Sequence, residues 1–308
     1  MHVVHSTVND RVTFPVASAV LMLSLPVAAW RFQTPPPSPL LLNMSQDVTG
    51  STHGGVYVIT LNRPNQGNAL RMDMYTQIMQ HLATARSDKA IRAVAITGAG
   101  RFFSTGADVA EAAQSIMGGD VEELIQRLYT GPVALTQAII DFPKLVVGLV
   151  NGPVVGYPAA QLGIYDLVIV NDRASFQVPF LHLGIVPEAC SSVTLPAACG
   201  HVTATELLVS GKTLNCDEML KFGLASQKIA AGDDFVAKAL TSLNEQLGKC
   251  SGASLLEGKK LLLAPKRSVL TAANKQEADA LAERFRSGEP ARRFAKVFAG
   301  LSAKKSKI

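Results

Sequence analysis

Two short stretches carry residue types whose spacing could do chemistry. They are Phe102-Phe103-Ser104-Thr105-Gly106-Ala107-Asp108 and Asn151-Gly152-Pro153-Val154-Val155-Gly156-Tyr157-Pro158-Ala159-Ala160. Each follows an apolar, β-branched run, residues 93–97 in one case and 145–150 in the other, and each leads towards a helical pattern. A strand–loop–helix junction leaves backbone N–H groups without partners at the helix start, where they can face an anion. Two such junctions brought together can hold one negatively charged oxygen, which is what stabilising the enolate of a thioester requires.

A carboxylate lies further along, in Leu183-Gly184-Ile185-Val186-Pro187-Glu188-Ala189-Cys190-Ser191-Ser192. Glu188 is nested in an apolar run just before a helical pattern. Apolar surroundings raise a carboxyl pKa, whereas a helix N-terminus lowers it. The sequence leaves that balance open, and an inert acid at a helix start fits the same residues.

The elements that must position these groups follow from periodicity. Residues 56–61 alternate and are rich in β-branched side chains, so they read as a strand, with turn chemistry at Asn62-Arg63-Pro64-Asn65. Residues 72–85 have helical spacing, with Met74, Ile78 and Leu82 on one face. Residues 93–97, 145–150 and 167–170 read as strands. Residues 108–117 and 121–140 read as helices, the second interrupted at Gly131-Pro132. Beyond Ala189 the signal is mostly helical: residues 190–198, 203–209, 217–222, 235–247 and 272–286. Strands mixed with helices, then helices alone, predict an α/β core with a helical C-terminal lobe. No internal repeat or low-complexity segment is visible.

Composition bounds the rest. The chain has 308 residues, 48% apolar and 17% charged, enough for a large core in one domain or in a domain with an appendage. The net charge is +5 and the pI about 9.0. The basic residues are dispersed apart from Lys304, Lys305 and Lys307, and aromatic residues make up only 6%, so nothing points to nucleic acid. The mild basicity suits a phosphate-bearing ligand such as coenzyme A, and equally an ordinary solvated surface. Cys190, Cys199, Cys216 and Cys250 form no C-x-x-C pair, and their spacing suits neither a disulfide framework nor a zinc site. They read as isolated buried thiols of a reducing compartment.

The ends differ from the body. Residues 12–30 are almost wholly apolar but carry Pro15 and Pro26. A membrane span, a targeting segment, and a dispensable leader ahead of Met44 fit residues 1–43 equally. Residues 33–39 are proline-rich and extended, and a polar stretch runs from 45 to 54. The final Ser306-Lys307-Ile308 approximates the Ser-Lys-Leu peroxisomal address, which implies a peroxisome-like organelle and an import receptor. The N-terminal segment gives a mitochondrial or membrane-associated location as the alternative.

The two loops resemble the signature segments of the crotonase (enoyl-CoA hydratase/isomerase) superfamily. The resemblance runs from residue 56 to at least residue 229. Supporting pieces are Leu61-Asn62-Arg63-Pro64, Asn68-Ala69-Leu70, Phe103-Ser104-Thr105-Gly106-Ala107-Asp108 and Val150-Asn151-Gly152-Pro153, in that order and each at a strand end. The resemblance implies a ββα spiral core at 53–235, after an extension at 1–52. It also implies a C-terminal helical region at 236–308 that assembles trimers, stacked or not as hexamers. It implies an acyl-CoA thioester substrate and no metal or redox cofactor. By the same resemblance the amides of Ala107 and Tyr157 form an oxyanion hole, and Asn68, Ala69, Leu70, Arg71, Thr105, Gly106, Ala107, Asp108, Val109 and Tyr157 line the substrate. The family often has glycine where this chain has Tyr157, so that side chain must point away from the thioester.

Hydratases of this superfamily use two glutamates. This chain has Ala160 at one of those positions and Val178-Pro179-Phe180 around the other. Hydration needs one group to activate water and one to deliver a proton, so an ordinary hydratase is disfavoured. The segment around Glu188 resembles the Pro-Glu-Gly-Cys-Ser-Ser segment of peroxisomal-type Δ3,Δ2-enoyl-CoA isomerases, in which that glutamate is the single acid/base. The resemblance implies an isomerase that moves the double bond of 3-enoyl-CoA to trans-2-enoyl-CoA in unsaturated fatty acid β-oxidation. A hydratase-like enzyme and a noncatalytic acyl-CoA-binding homologue are the alternatives. Asp108 reads as a helix cap that orients the Ala107 amide, and Asn68-Ala69-Leu70 as the adenine-side wall built from main-chain groups. Arg71 fits a CoA phosphate or a solvated helix start. Asp166, His182 and His201 read as structural.

Overall fold

β1 (Val48–His53) and β2 (Val56–Leu61) form an antiparallel hairpin, with Val48 opposite Leu61 and His53 opposite Val56. The structure is a computed structural model that describes residues 46–108, 111, 120–230, 232 and 234–296. The N-terminal segment 1–43, Val109, most of the expected helix at 108–117 and the terminal Ser306-Lys307-Ile308 lie outside those residues. After the hairpin come α1 (Met72–Ser87), β3 (Ala93–Gly98), α2 (Val121–Leu128), a π-helical turn (Tyr129–Val133) and α3 (Ala134–Ile140). β4 (Leu145–Val150), β5 (Val154–Val155), α4 (Tyr157–Gln161), β6 (Leu167–Asn171) and β7 (Ser175–Gln177) follow. The chain continues through α5 (Ser191–Cys199), α6 (His201–Ser210), β8 (Leu214–Asn215), α7 (Cys216–Lys221), β9 (Gln227–Ile229), α8 (Phe235–Gly248) and α9 (Gly252–Arg286).

The main sheet has the order β1-β2-β3-β4-β6-β9, and a smaller one the order β5-β7-β8. From β2 onward every pairing in the main sheet is parallel. Such a sheet buries both faces, and side chains alternate between them. Val56 and Val58, Ala93 and Ala95, Val147 and Leu149, and Ile169 meet Phe235, Ala239, Leu240, Leu243 and Leu247 of α8. The opposite residues, Ile59, Leu61, Val94, Ile96, Val146, Val150, Val168 and Val170, face the larger core with α1 and α3. The result is the expected mixed α/β core with a helical C-terminal region.

Four local expectations need correction. Residues 48–53 are a paired strand rather than a polar lead-in; only Val48 of the six is buried, so this edge strand carries almost no apolar signal. The helical path is not broken at Gly131-Pro132. It widens there into a π turn, which accommodates a residue that has no N–H and whose ring crowds the carbonyl one turn back. α9 begins twenty residues earlier than its apolar pattern, at Gly252, and runs through Pro265. The carbonyl that this proline leaves unpaired belongs to Leu261, which is exposed. Finally, β8 and β9 interrupt the helices beyond Ala189, and β9 closes the main sheet. All four cysteines are free; Cys190 and Cys216 are buried, but Cys250 is exposed rather than buried. Among the described residues no helix is long and apolar enough to cross a membrane.

Candidate active site

The two loops singled out by sequence lie side by side. Ser104 and Val154 pair as a parallel bridge. The amide of Val155 donates to Ser104 O (2.9 Å) and that of Phe103 to Pro153 O (3.1 Å). Two residues further along, the loops are still together at Gly106 and Gly156. A Cβ on Gly156 would lie 3.8 Å from the Cα of Gly106. Both glycines have positive φ, 101° and 68°. Each turns the chain just before a donor, which an L side chain resists. Gly156 is the N-cap of α4, and Tyr157 is its first residue. The next residue, Pro158, brings no N–H, and the Ala160 amide returns to Gly156 O (3.0 Å). The Tyr157 amide is thus an open donor of the first turn. At Ala107 the neighbouring groups are taken, Leu70 N by Gly106 O and Leu70 O by Asp108 N, each at 2.8 Å. The Ala107 amide faces away from Leu70, on an exposed residue.

The segment expected to form the substrate wall braces this loop. Asn68 is fully buried with φ 54°, a conformation that asparagine tolerates. Its Oδ1 accepts from Arg63 N (2.9 Å), and its Nδ2 donates to Ala99 O (2.9 Å) and Phe102 O (2.7 Å). Its carbonyl accepts from Ser104 Oγ (2.8 Å), and the Ala69 carbonyl from Arg63 Nη1 (2.6 Å). Thr105 is exposed, and its amide donates to Gly67 O (2.9 Å). Asp108 does accept from the Glu111 amide (3.3 Å), as a cap would, and also pairs with Arg63 Nη1 at 2.9 Å. Arg71, at the start of α1, pairs with Asp47 (2.7 Å) and Asp73 (2.9 Å).

The ring of Tyr157 turns inward, as the bulk argument required. It is 3% exposed and meets Tyr75 edge-on at 5.4 Å. Its hydroxyl donates to Pro132 O (2.7 Å) in the π turn, accepts from Gln161 Nε2 (2.8 Å) and lies 3.0 Å from Thr136 Oγ1. The ring therefore anchors the residue whose amide opens the other way.

Glu188 and Tyr157 line one pocket, closed by Leu128, Pro132 and Val133 on one side and by Ala278 and Leu281 of α9 on the other. Glu188 is half-buried and lines this pocket. Burial, with a smaller contribution from the charge of Glu277, pushes its carboxyl up to about 8. The sequence left open whether a helix N-terminus would pull it down instead. It does not, because Glu277 of α9 takes that helix end. Glu277 Oε2 accepts from the Cys190 amide (2.7 Å) and Oε1 from the Ser192 amide (2.8 Å).

The two positions at which hydratases carry glutamate are apolar and packed: Ala160 is 1% exposed, and so is Phe180. Asp166 accepts from Val146 N (2.7 Å) and pairs with Lys259 (2.7 Å), and His182 Nε2 meets Val209 O (3.0 Å), both structural contacts. His201 is exposed. Among the described residues no group of three His, Cys, Asp or Glu side chains is placed to hold a metal ion.

The family model described as enoyl-CoA hydratase/isomerase matches residues 51–295. The chain belongs to that family. Among enoyl-CoA hydratase/isomerase relatives, the rat protein named enoyl-CoA delta isomerase 2 is 35% identical over 248 residues, which cover 80% of this chain and 61% of the relative. A mouse protein named enoyl-CoA delta isomerase 3, peroxisomal, is 31% identical over 263 residues, covering 85% of this chain and 80% of the relative. A crystal structure of an enoyl-CoA hydratase/isomerase from Pseudoalteromonas atlantica superposes with a TM-score of 0.72 at 28% identity, covering 82% of this chain and 97% of that one. This chain thus spans about three fifths of the rat relative's length.

Sequence reasoning missed the contribution of α9 to this family member's site. Asn274 donates from Nδ2 to Val133 O (3.1 Å) in the π turn, and Glu277 grips the Glu188 loop. A signal was present. Leu270, Ala273, Asn274, Glu277, Ala278 and Leu281 form one buried helical stripe. Two polar residues in an apolar stripe require partners.

Proposed function

We propose that this chain is a Δ3,Δ2-enoyl-CoA isomerase that converts a 3-enoyl-CoA to the trans-2-enoyl-CoA, a step of unsaturated fatty acid β-oxidation. The Ala107 and Tyr157 amides hold the thioester oxygen. Glu188 takes a proton from C2, the charge spreads through the dienolate onto that oxygen, and Glu188 returns the proton at C4. The double bond moves into conjugation, and atoms and electrons balance within substrate and carboxyl. The reaction as written therefore calls for no metal or redox cofactor. Each oxyanion donor is worth about 3 kcal/mol in other enzymes.

The observation that carries this reading is the carboxyl of Glu188, pushed up to about 8 in a pocket it shares with Tyr157. A base tuned near neutrality exchanges protons in both directions efficiently. The second carboxylate of the pocket, Glu277, has both oxygens occupied by amides and does not activate water. The names of the rat and mouse relatives support the same class. The mouse name also supports a peroxisomal location, to which the terminal Ser306-Lys307-Ile308 and an import receptor would belong. Trimeric or hexameric assembly, and substrate contacts from Asn68 to Arg71 and from Thr105 to Val109, complete the proposal.

Assay of 3-hexenoyl-CoA conversion by wild type and Glu188→Gln tests it. Loss of at least about 100-fold in kcat is expected for removal of the acid/base. Near-normal turnover by the variant ends the assignment. Turnover of 2-enoyl-CoA with water by the wild type would favour a hydratase, and binding without either reaction a noncatalytic homologue.

A further inference from the structure

We infer that Glu277 is a positioning residue for Glu188: from α9 it clamps both ends of the turn that aims Glu188 into the pocket and sets a fixed negative charge in that same pocket. The inference rests on the function proposed above and names a second residue on which that function depends.

The turn needs an external hold. Ala189 and Cys190 both have left-handed φ, 54° and 65°, and neither is glycine. Such conformations are costly for side-chain-bearing residues and persist where surroundings impose them. The Ser191 amide closes the turn on Glu188 O (3.1 Å). Glu277 then ties down the amides on either side of Ser191, at 2.7 and 2.8 Å. The Cys190 thiol adds a contact to Leu270 O (3.3 Å), also on α9. The partners are more than eighty residues apart in sequence, so the hold is wholly tertiary.

Glu277 is 7% exposed, on the buried face of its helix with Ala273, Asn274, Ala278 and Leu281. Burial raises its own carboxyl, and the amide donors oppose that by favouring the anion. The other ionisable groups facing Glu188 are Tyr75 from α1, Tyr157 from α4 and Cys190 from its own loop. Burial raises all three, Cys190 to about 12, so they stay neutral. No Lys, Arg or His lines the pocket among the described residues. Glu277 is thus the charge that Glu188 meets when it loses its proton.

Two variants of the full chain separate charge from reach. Glu277→Gln keeps the length, removes the charge and leaves one acceptor oxygen for the two amides. The acid limb of its kcat/KM profile is expected to move down by about 0.5–1 pH unit, because Glu188 then ionises more easily. Glu277→Asp keeps the charge and shortens the clamp. Its limb is expected to stay close to that of the wild type while kcat falls about 10-fold, with KM within about twofold, as for a misplaced catalytic group. A purely structural residue would lower stability or activity in both without moving either limb, and a wild-type limb in folded Glu277→Gln overturns the inference. Glu188→Gln in the same assay keeps the two claims apart. If it is inert while Glu277→Gln has a wild-type profile, only the role of Glu277 falls; if it turns over normally, the acid/base assignment falls first.

Discussion

Glu188 and Glu277 line the same pocket, and only Glu277 has both oxygens held by backbone amides. Like charges confined together do not ionise equally, and the member with better hydrogen bonds keeps the charge. Glu188 is left with its pKa raised towards neutrality, which suits a group that would both take and return a proton. A helix N-terminus that would have favoured the Glu188 anion is instead spent on Glu277.

This asymmetry predicts opposite pH trends for activity and stability. With Glu188 as the proposed base, the carboxylate is the active form, and kcat/KM should rise through about pH 8. The folded protein holds that proton to about 8, whereas the unfolded chain releases it near 4.5. The folded state therefore binds more protons in between, and stability from this group is full below about 4.5 and declines as pH climbs through 8. Denaturant unfolding at several pH values should show a slope in the wild type, on the order of 1–3 kcal/mol across that window, that Glu188→Gln lacks.

Gly106→Ala should damage the oxyanion loop. Its φ of 101° is left-handed, and the new Cβ would meet Val155 O at 3.2 Å. Both strands of the paired loop would have to shift, moving the Ala107 amide. A fall in kcat of about 10- to 100-fold is expected from steady-state kinetics, with about 1–3 kcal/mol of stability lost. Wild-type kcat in this variant would separate the loop from catalysis.

Tyr157→Phe tests the inward anchor. Without its hydroxyl, Pro132 O loses a donor and Gln161 an acceptor in a buried setting. Thermal or chemical unfolding should report a loss of about 1–3 kcal/mol. An unchanged midpoint would mean that the π turn and α4 are held by packing alone.

Much of the site was legible because it is written in backbone terms. Gly106 and Gly156 mark the two turns, β-branched runs mark the strands that feed them, and Pro158 marks a helix start with a donor to spare. Asn68 was legible as a site residue but not as a staple, since its three side-chain bonds join segments that no local pattern connects. Glu277 was invisible for the same reason. Its role depends on α9 lying across the Glu188 loop, and helix packing is not a periodicity. β1 and the start of α9 were missed because exposed elements carry little apolar signal.

Lys259→Met should destabilise the first half of α9. The Lys259 ammonium lies 2.7 Å from Asp166 and 2.6 Å from Lys144 O, with its side chain only 6% exposed. Removing one partner of such a pair costs about 3–5 kcal/mol when fully buried, and Asp166 at 27% exposure lowers the expectation to about 2–4 kcal/mol. Adding Asp166→Asn should recover part of the loss in an unfolding experiment. No loss in the single variant would show the tether to be dispensable.

The position of α9 also sets an order of events at the ribosome. The chain makes both oxyanion loops and Glu188 long before the stretch bearing Asn274, Glu277 and Leu281 emerges. Until that stretch docks, water reaches the carboxyl and the turn beneath it is unclamped. Under the proposed mechanism, a nascent chain therefore gains its proton shuttle only once α9 has docked.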